Sequence, residues 1–155
     1  MLVSGEAGVG KTALLSRFCA DACGVRVLWG ACDALFTPRP LGPLLDVARE
    51  TGGELGALVQ SGALPHDVTS ALLRELSGPT TTIVVFEDVH WADGATLDVL
   101  RLLGRRVQSV RALVLASYRD TELGPFHPLR QVLGELASDG ASARMRLHQI
   151  GRAHV

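Results

Sequence analysis

The octapeptide Gly5-Glu6-Ala7-Gly8-Val9-Gly10-Lys11-Thr12 satisfies the pattern G-x-x-x-x-G-K-[ST] and constrains the fold more than any other stretch of the chain. Its glycines let the backbone wrap closely around an anion with N–H groups pointing inward, and Thr12 offers a hydroxyl to a divalent cation. Lys11 is the single lysine among 15 cationic side chains, the rest being arginine. A compact ammonium on a flexible stem slips between two phosphates, where a planar guanidinium is too wide. The pattern requires a strand before it and a helix after it. Met1-Leu2-Val3-Ser4 is a short apolar run suited to a buried strand, and Thr12 to Ala20 carries apolar residues at helical spacing. A helix N-terminus at the loop adds its dipole and free N–H groups. The residues predict a nucleoside triphosphate held by Gly5, Glu6, Ala7, Gly8, Val9, Gly10, Lys11, Thr12 and Ala13.

A chain of 155 residues with 47% hydrophobic content fits one domain with a single core. A net charge of −1 gives no sign of a nucleic-acid surface on this segment. Apolar runs all fall short of the roughly 20 residues a membrane helix needs, and no signal peptide precedes the loop, so a cytoplasmic location is expected. Cys19, Cys23 and Cys32 lack metal-ligand spacing and are read as reduced, mostly buried thiols.

Strand and helix signals alternate along the chain as they do around a parallel sheet, predicting an α/β fold. Strands are expected at 1–4, 25–30, 81–87, 112–118 and 145–148, and helices at 12–20, 44–50, 54–60, 65–76, 96–107 and 128–137. Pro38, Pro40, Gly42 and Pro43 make 33–43 an irregular connector. The run Ile83-Val84-Val85-Phe86 is apolar on both faces, as a central parallel strand should be.

Four apolar residues followed by Glu87 and Asp88 form a Walker B arrangement at the carboxyl end of that strand, where such sheets place their ligands. Glu87 is assigned with Thr12 to a magnesium ion and Asp88 to the attacking water. The glutamate is longer than the usual metal-position aspartate, and the aspartate shorter than the usual glutamate. Trp29 is expected to pack against the sheet, and His66, His127 and His148 carry no assigned chemistry.

The run Val84-Val85-Phe86-Glu87-Asp88-Val89-His90-Trp91-Ala92-Asp93 resembles the extended Walker B signature of the LuxR-type large ATP-binding transcriptional regulators, among the signal-transduction ATPases with numerous domains. Ser4 to Leu15, Cys32-Asp33-Ala34, Pro40 to Leu44, Ala116-Ser117-Tyr118-Arg119-Asp120 and His127-Pro128-Leu129 agree with that family. The resemblance reaches to about Leu147 and implies a three-layer P-loop ATPase with strand order 5-1-4-3-2. It further implies that Arg119 senses the terminal phosphate, completing a catalytic set of Lys11, Asp88 and Arg119, and that His90 and Trp91 couple the site to its neighbours. The function implied is a slow, magnesium-dependent ATP/ADP switch in a bacterial regulator. Its partners would be nucleotide, further copies of itself and DNA, the last through a helix-turn-helix lying outside this segment. The alternative is an AAA+ motor or initiator-type ATPase, for which Arg105-Arg106 is the arginine pair on offer as a finger.

Both ends are expected to be truncated, with the ATPase domain over 1–148. Residues 149–155 are read as a non-native tail, because Ile150-Gly151-Arg152-Ala153-His154-Val155 fits an in-frame translation of a common sequencing-adapter sequence.

Overall fold

Leu2–Gly5 are buried and form β1, one of five parallel strands in the computed structural model, which describes residues 1–35, 39–140 and 142–151. The remaining strands are β2 (Arg26–Ala31), β3 (Thr82–Glu87), β4 (Ala112–Tyr118) and β5 (Arg144–Leu147). The helices are α1 (Lys11–Asp21), α2 (Gly42–Thr51), α3 (Gly53–Gln60), α4 (Pro65–Leu76), α5 (Gly94–Arg106) and α6 (Pro128–Ser138). Single 3-10 turns at Val89–Trp91, Val107–Ser109 and Asp120–Glu122 were not signalled by periodicity.

The sheet order is β2-β3-β4-β1-β5, which is the expected order read from the opposite edge. From β1 the chain crosses to the far strand β2, and every later crossover runs back the other way. Right-handed crossovers then require α1 on one face and all later helices on the other. The packing agrees. Leu15 of α1 meets Val3, Ile83, Val85 and Leu115, while Leu28, Val84, Phe86 and Ala116 face the cluster built by α2 to α6. Alternate residues of β3 therefore feed different cores, which is why its apolar run is unbroken.

At β2 the sheet and α2 touch backbone to backbone. A Cβ on Gly30 would lie 2.2 Å from the Pro43 carbonyl oxygen, and the adjacent Ala31 N–H donates to Asp46 Oδ2 at 3.1 Å. Between α5, α6 and the sheet lies an apolar cavity of about 250 Å³ bordered by Val89, Leu103, Leu133 and Leu136.

Two expectations need correction. Gly42 and Pro43, assigned to the connector, begin α2, because a proline in the first helical turn forfeits only an N–H that has no partner there. Phe36, Thr37 and Pro38 of that connector lie outside the described residues. The cysteines are not mostly buried: Cys32 is, Cys19 is half-buried, and Cys23 is exposed just beyond the end of α1. All three are free thiols, and burial pushes the Cys32 pKa up to about 12. Residues 149–151 of the expected tail are exposed and follow β5 without regular structure, and 152–155 lie outside the described residues. Among the described residues no helix is long and apolar enough to cross a membrane.

Candidate functional site

Strands β1 and β4 lie side by side with Ser4 opposite Tyr118, yet the segments leaving them run to opposite faces of the sheet. Such a switch point opens a crevice beyond the carboxyl ends of the strands. Gly5 and Arg119, the next residue on each strand, stand at its mouth. The loop from Gly5 turns through Gly8 at φ 74° and Gly10 at φ 103°, left-handed conformations that a side chain resists. Gly5 is needed for space, since a Cβ there would sit 2.8 Å from Val9 Cγ1 and 2.9 Å from the Leu147 carbonyl oxygen. No side chain caps α1, which leaves the first N–H groups of that helix free for an anion.

Lys11 is buried, and its Nζ donates to the carbonyls of Gly5 at 2.9 Å and Glu6 at 2.8 Å. Burial lowers its pKa, and the Asp88 carboxylate opposes that shift. The ammonium is therefore folded onto its own loop, held by neutral oxygens that an anion can outbid.

Glu87 occupies the end of β3 between two donors. Its Oε1 accepts from the Thr12 hydroxyl, and its Oε2 accepts from Trp29 Nε1 at 3.0 Å. Trp29 does pack against the sheet, as its type suggests, but it also fixes the orientation of this carboxylate. That bond joins residues 58 positions apart, and nothing in the local sequence announces it. Asp88 follows in the left-handed region at φ 58°, which aspartate tolerates better than most residues, and its N–H donates to Ser117 Oγ at 3.0 Å. Burial first, then the neighbouring Glu87, raises the Asp88 pKa, against the pull of Arg119 and Lys11. Paired hard oxygens from Thr12 and Glu87 suit magnesium, which takes few protein ligands and keeps much of its water. Among the described residues no group of three or more His, Cys, Asp or Glu forms a metal cage, so the remaining ligands would have to come from phosphate and water.

Arg119 reaches the crevice with its backbone, and its side chain is engaged by Glu122 and Trp91. Its Nη1 lies 2.7 Å from Glu122 Oε1, and its Cζ stands 4.7 Å above the Trp91 ring. The Arg119 N–H donates to His90 Nδ1 at 3.2 Å, which places the imidazole proton on Nε2. His90 is buried, and desolvation lowers its pKa to about 4. His127, given no chemistry above, caps α6 by accepting from the Leu129 N–H on Nδ1, so its Nε2 donates to the His90 carbonyl at 2.9 Å. Arg105 lies 3.6 Å from Glu135 of α6 and 3.8 Å from Asp139 at the end of that helix, within its own chain.

Asp93, the last residue of the extended signature, works as a clamp. Its Oδ2 accepts from the N–H groups of Ala95 and Thr96, and its Oδ1 from the Thr96 hydroxyl and the Leu41 N–H at 3.2 Å. Leu41 is left-handed at φ 56°, a costly conformation for leucine, so Asp93 both caps α5 and secures a strained connector. An Asp directly before Gly-Ala-Thr is a readable helix start, and it places α5 two residues earlier than periodicity does. Asp93→Ala is expected to cost about 2 kcal/mol, one part lost cap and one part an unsatisfied Leu41 N–H, checked by urea denaturation. A change under about 0.5 kcal/mol would contradict the clamp.

The family model described as the AAA ATPase domain matches residues 1–116. The GMP synthases (glutamine-hydrolysing) of two strains of Xylella fastidiosa are 27% identical over 128 residues, covering 80% of this chain. The chain spans only 24% of the length of those curated relatives. Among solved structures, the Aeropyrum pernix ORC1 protein in complex with DNA aligns with a TM-score of 0.61 at 20% identity, over 96% of this chain and 39% of that one. A chain of Drosophila ORC bound to DNA aligns at 0.56 and 14%, over 96% of this chain and 80% of that one. Such low identities speak for a shared fold and no more. The family match runs from the loop at Gly5 through β3 and its two acids into β4, the strands that form the crevice, and by it the chain belongs to the AAA ATPase domain family.

Proposed function

We propose that this chain is a magnesium-dependent ATP-binding and slowly hydrolysing module whose bound nucleotide governs assembly of a larger protein. The observation that carries this reading is the meeting of the glycine loop, Lys11, Thr12 and Glu87 at one crevice, with Asp88 beside them. On this reading Gly5 to Ala13 wrap the phosphates, and Lys11 exchanges its two carbonyl partners for phosphate oxygens. Thr12 and Glu87 hold the magnesium ion, which when bound neutralises phosphate charge. Asp88, with its proton affinity raised, orients and deprotonates the attacking water. Arg119 stabilises the terminal phosphate.

Calorimetry of magnesium-dependent ATP and GTP binding tests the reading. ATP is expected to bind, and Lys11→Ala to weaken it by roughly 100-fold or more, the loss of a charged contact to phosphate. A folded wild-type chain that binds neither nucleotide would sink the proposal.

Two settings for the module are distinguishable. The fold comparisons sit nearer the initiator-type alternative, whose solved members include ORC proteins bound to DNA. The Val89-His90-Trp91-Ala92-Asp93 extension supports the LuxR-type regulator instead. Arg105, occupied by Glu135 and Asp139, is a poor finger for a neighbouring subunit's site. Hydrolysis stimulated by self-association and lost in Arg106→Ala would favour the initiator type. Hydrolysis independent of protein concentration would favour the regulator.

A further inference from the structure

We propose that Glu122 is a positioning residue that holds the Arg119 guanidinium in an ion pair beside the phosphate crevice, so that exchange of this pair sets the preference for a nucleoside triphosphate over a diphosphate. The inference rests on the nucleotide-site reading above and adds a partner to it. Arg119 is anchored at the crevice by its backbone, through its place after Tyr118 on β4 and its N–H on His90 Nδ1. Only its side chain is free to choose. In this structure it chooses Glu122, at 2.7 Å, and the face of Trp91.

The second half of the exchange lies at His90. With Nδ1 accepting from Arg119, the proton sits on Nε2, and that buried atom has no hydrogen-bond partner among the described residues. The nearest candidate is Glu122 Oε2 at 3.4 Å, slightly too far to bond well while the other oxygen holds Arg119. A carboxylate released by Arg119 can close that gap and satisfy the orphaned N–H. Glu122 thus meets both Arg119 and His90, beside the Trp91 side chain, and His90 is left wanting in the arrangement seen. A terminal phosphate, an anion of higher charge, takes the guanidinium, and the carboxylate moves onto His90. A diphosphate, which lacks the terminal group, leaves Arg119 where it is. The Glu122 side chain is 40% exposed, so the exchange needs no repacking of the core.

The test measures magnesium-ATP and magnesium-ADP binding by calorimetry in the full chain for wild type, Glu122→Gln, Arg119→Ala and the double variant. Removing the charge at Glu122 frees Arg119, so Glu122→Gln is expected to tighten ATP binding by roughly three- to fivefold, the scale of a half-exposed ion pair, and to leave ADP binding unchanged. In the Arg119→Ala background the same substitution is expected to do nothing. An equal gain for ATP and ADP, or a gain that survives without Arg119, would overturn the proposal while leaving the nucleotide site intact. A wild-type chain that binds no nucleotide would remove the site and the proposal together.

Discussion

Gly30→Ala is expected to destabilise the domain by about 3 kcal/mol or more, read as a lowered midpoint in urea. The obstacle is backbone, not side chain: the new Cβ would meet the Pro43 oxygen, carbonyl carbon and Cα at 2.2, 2.8 and 2.9 Å. Pro43 cannot rotate out of the way, because its ring fixes φ within the first turn of α2. The whole helix would have to retreat, unseating the fully buried Leu44 and Val47 and straining the Asp46 bond to Ala31. Gly104→Ala is the matched control. A Cβ there meets Leu136 Cδ2 at 2.1 Å, a closer approach on paper. That methyl is the end of a flexible side chain and borders the cavity of about 250 Å³, into which it can turn. Alanine also gains up to about 1 kcal/mol over glycine inside a helix, so Gly104→Ala should fall near wild type. Equal stabilities for the two variants would mean that α2 does not seat on β2 as described.

His90 should make stability depend on pH in a defined window. Its folded pKa lies at about 4, chiefly through burial, against an ordinary value of 6.5. The unfolded chain therefore takes up the proton first as pH falls. The stability associated with neutral His90 is whole above pH 6.5 and drains away down to about pH 4, a loss of about 3 kcal/mol. Glu122 opposes the shift, while Arg119, Lys11 and His127 reinforce it. Unfolding free energies of wild type and His90→Gln, compared from pH 7 to pH 4, isolate the effect because the other carboxylates titrate in both. The wild-type curve should fall more steeply, and parallel curves would show that the folded protein accepts the proton.

Much of the fold was legible from local chemistry. α4 runs over Pro65–Leu76 and β4 over Ala112–Tyr118, as expected, because Pro65 and the Gly78-Pro79 break bracket one and β-branched and apolar residues fill the other. Strand order came from resemblance, since no spacing in the sequence states which strand sits beside which. The glycine loop was legible because it is contiguous, and so were the acids at the end of β3. What was not legible joins distant residues: Trp29 to Glu87, Asp93 to Leu41, and His127 to the His90 carbonyl. Each is a polar bond chosen by packing after the elements have met. The connector acquired its helix start at Gly42 for the same reason, because Pro43 reads equally well as a breaker and as a first-turn residue.

Placing β4 between β1 and β3 also has a consequence for synthesis on the ribosome. Met1 bonds to Val114, 113 positions later, and Leu2 to Gly5 then pair with Arg144 to Leu147 on the other side. The strand that carries the phosphate loop leaves the ribosome before either of the strands it pairs with. At about 5 to 20 residues per second, β1 waits roughly 5 to 20 s as an apolar segment with both edges open. Contacts of such long range form slowly and leave the unpaired strand prone to sticking to other chains. The crevice therefore cannot exist until β4 has been made, and a nascent chain released before β4 would carry the complete glycine loop yet have nowhere to close it.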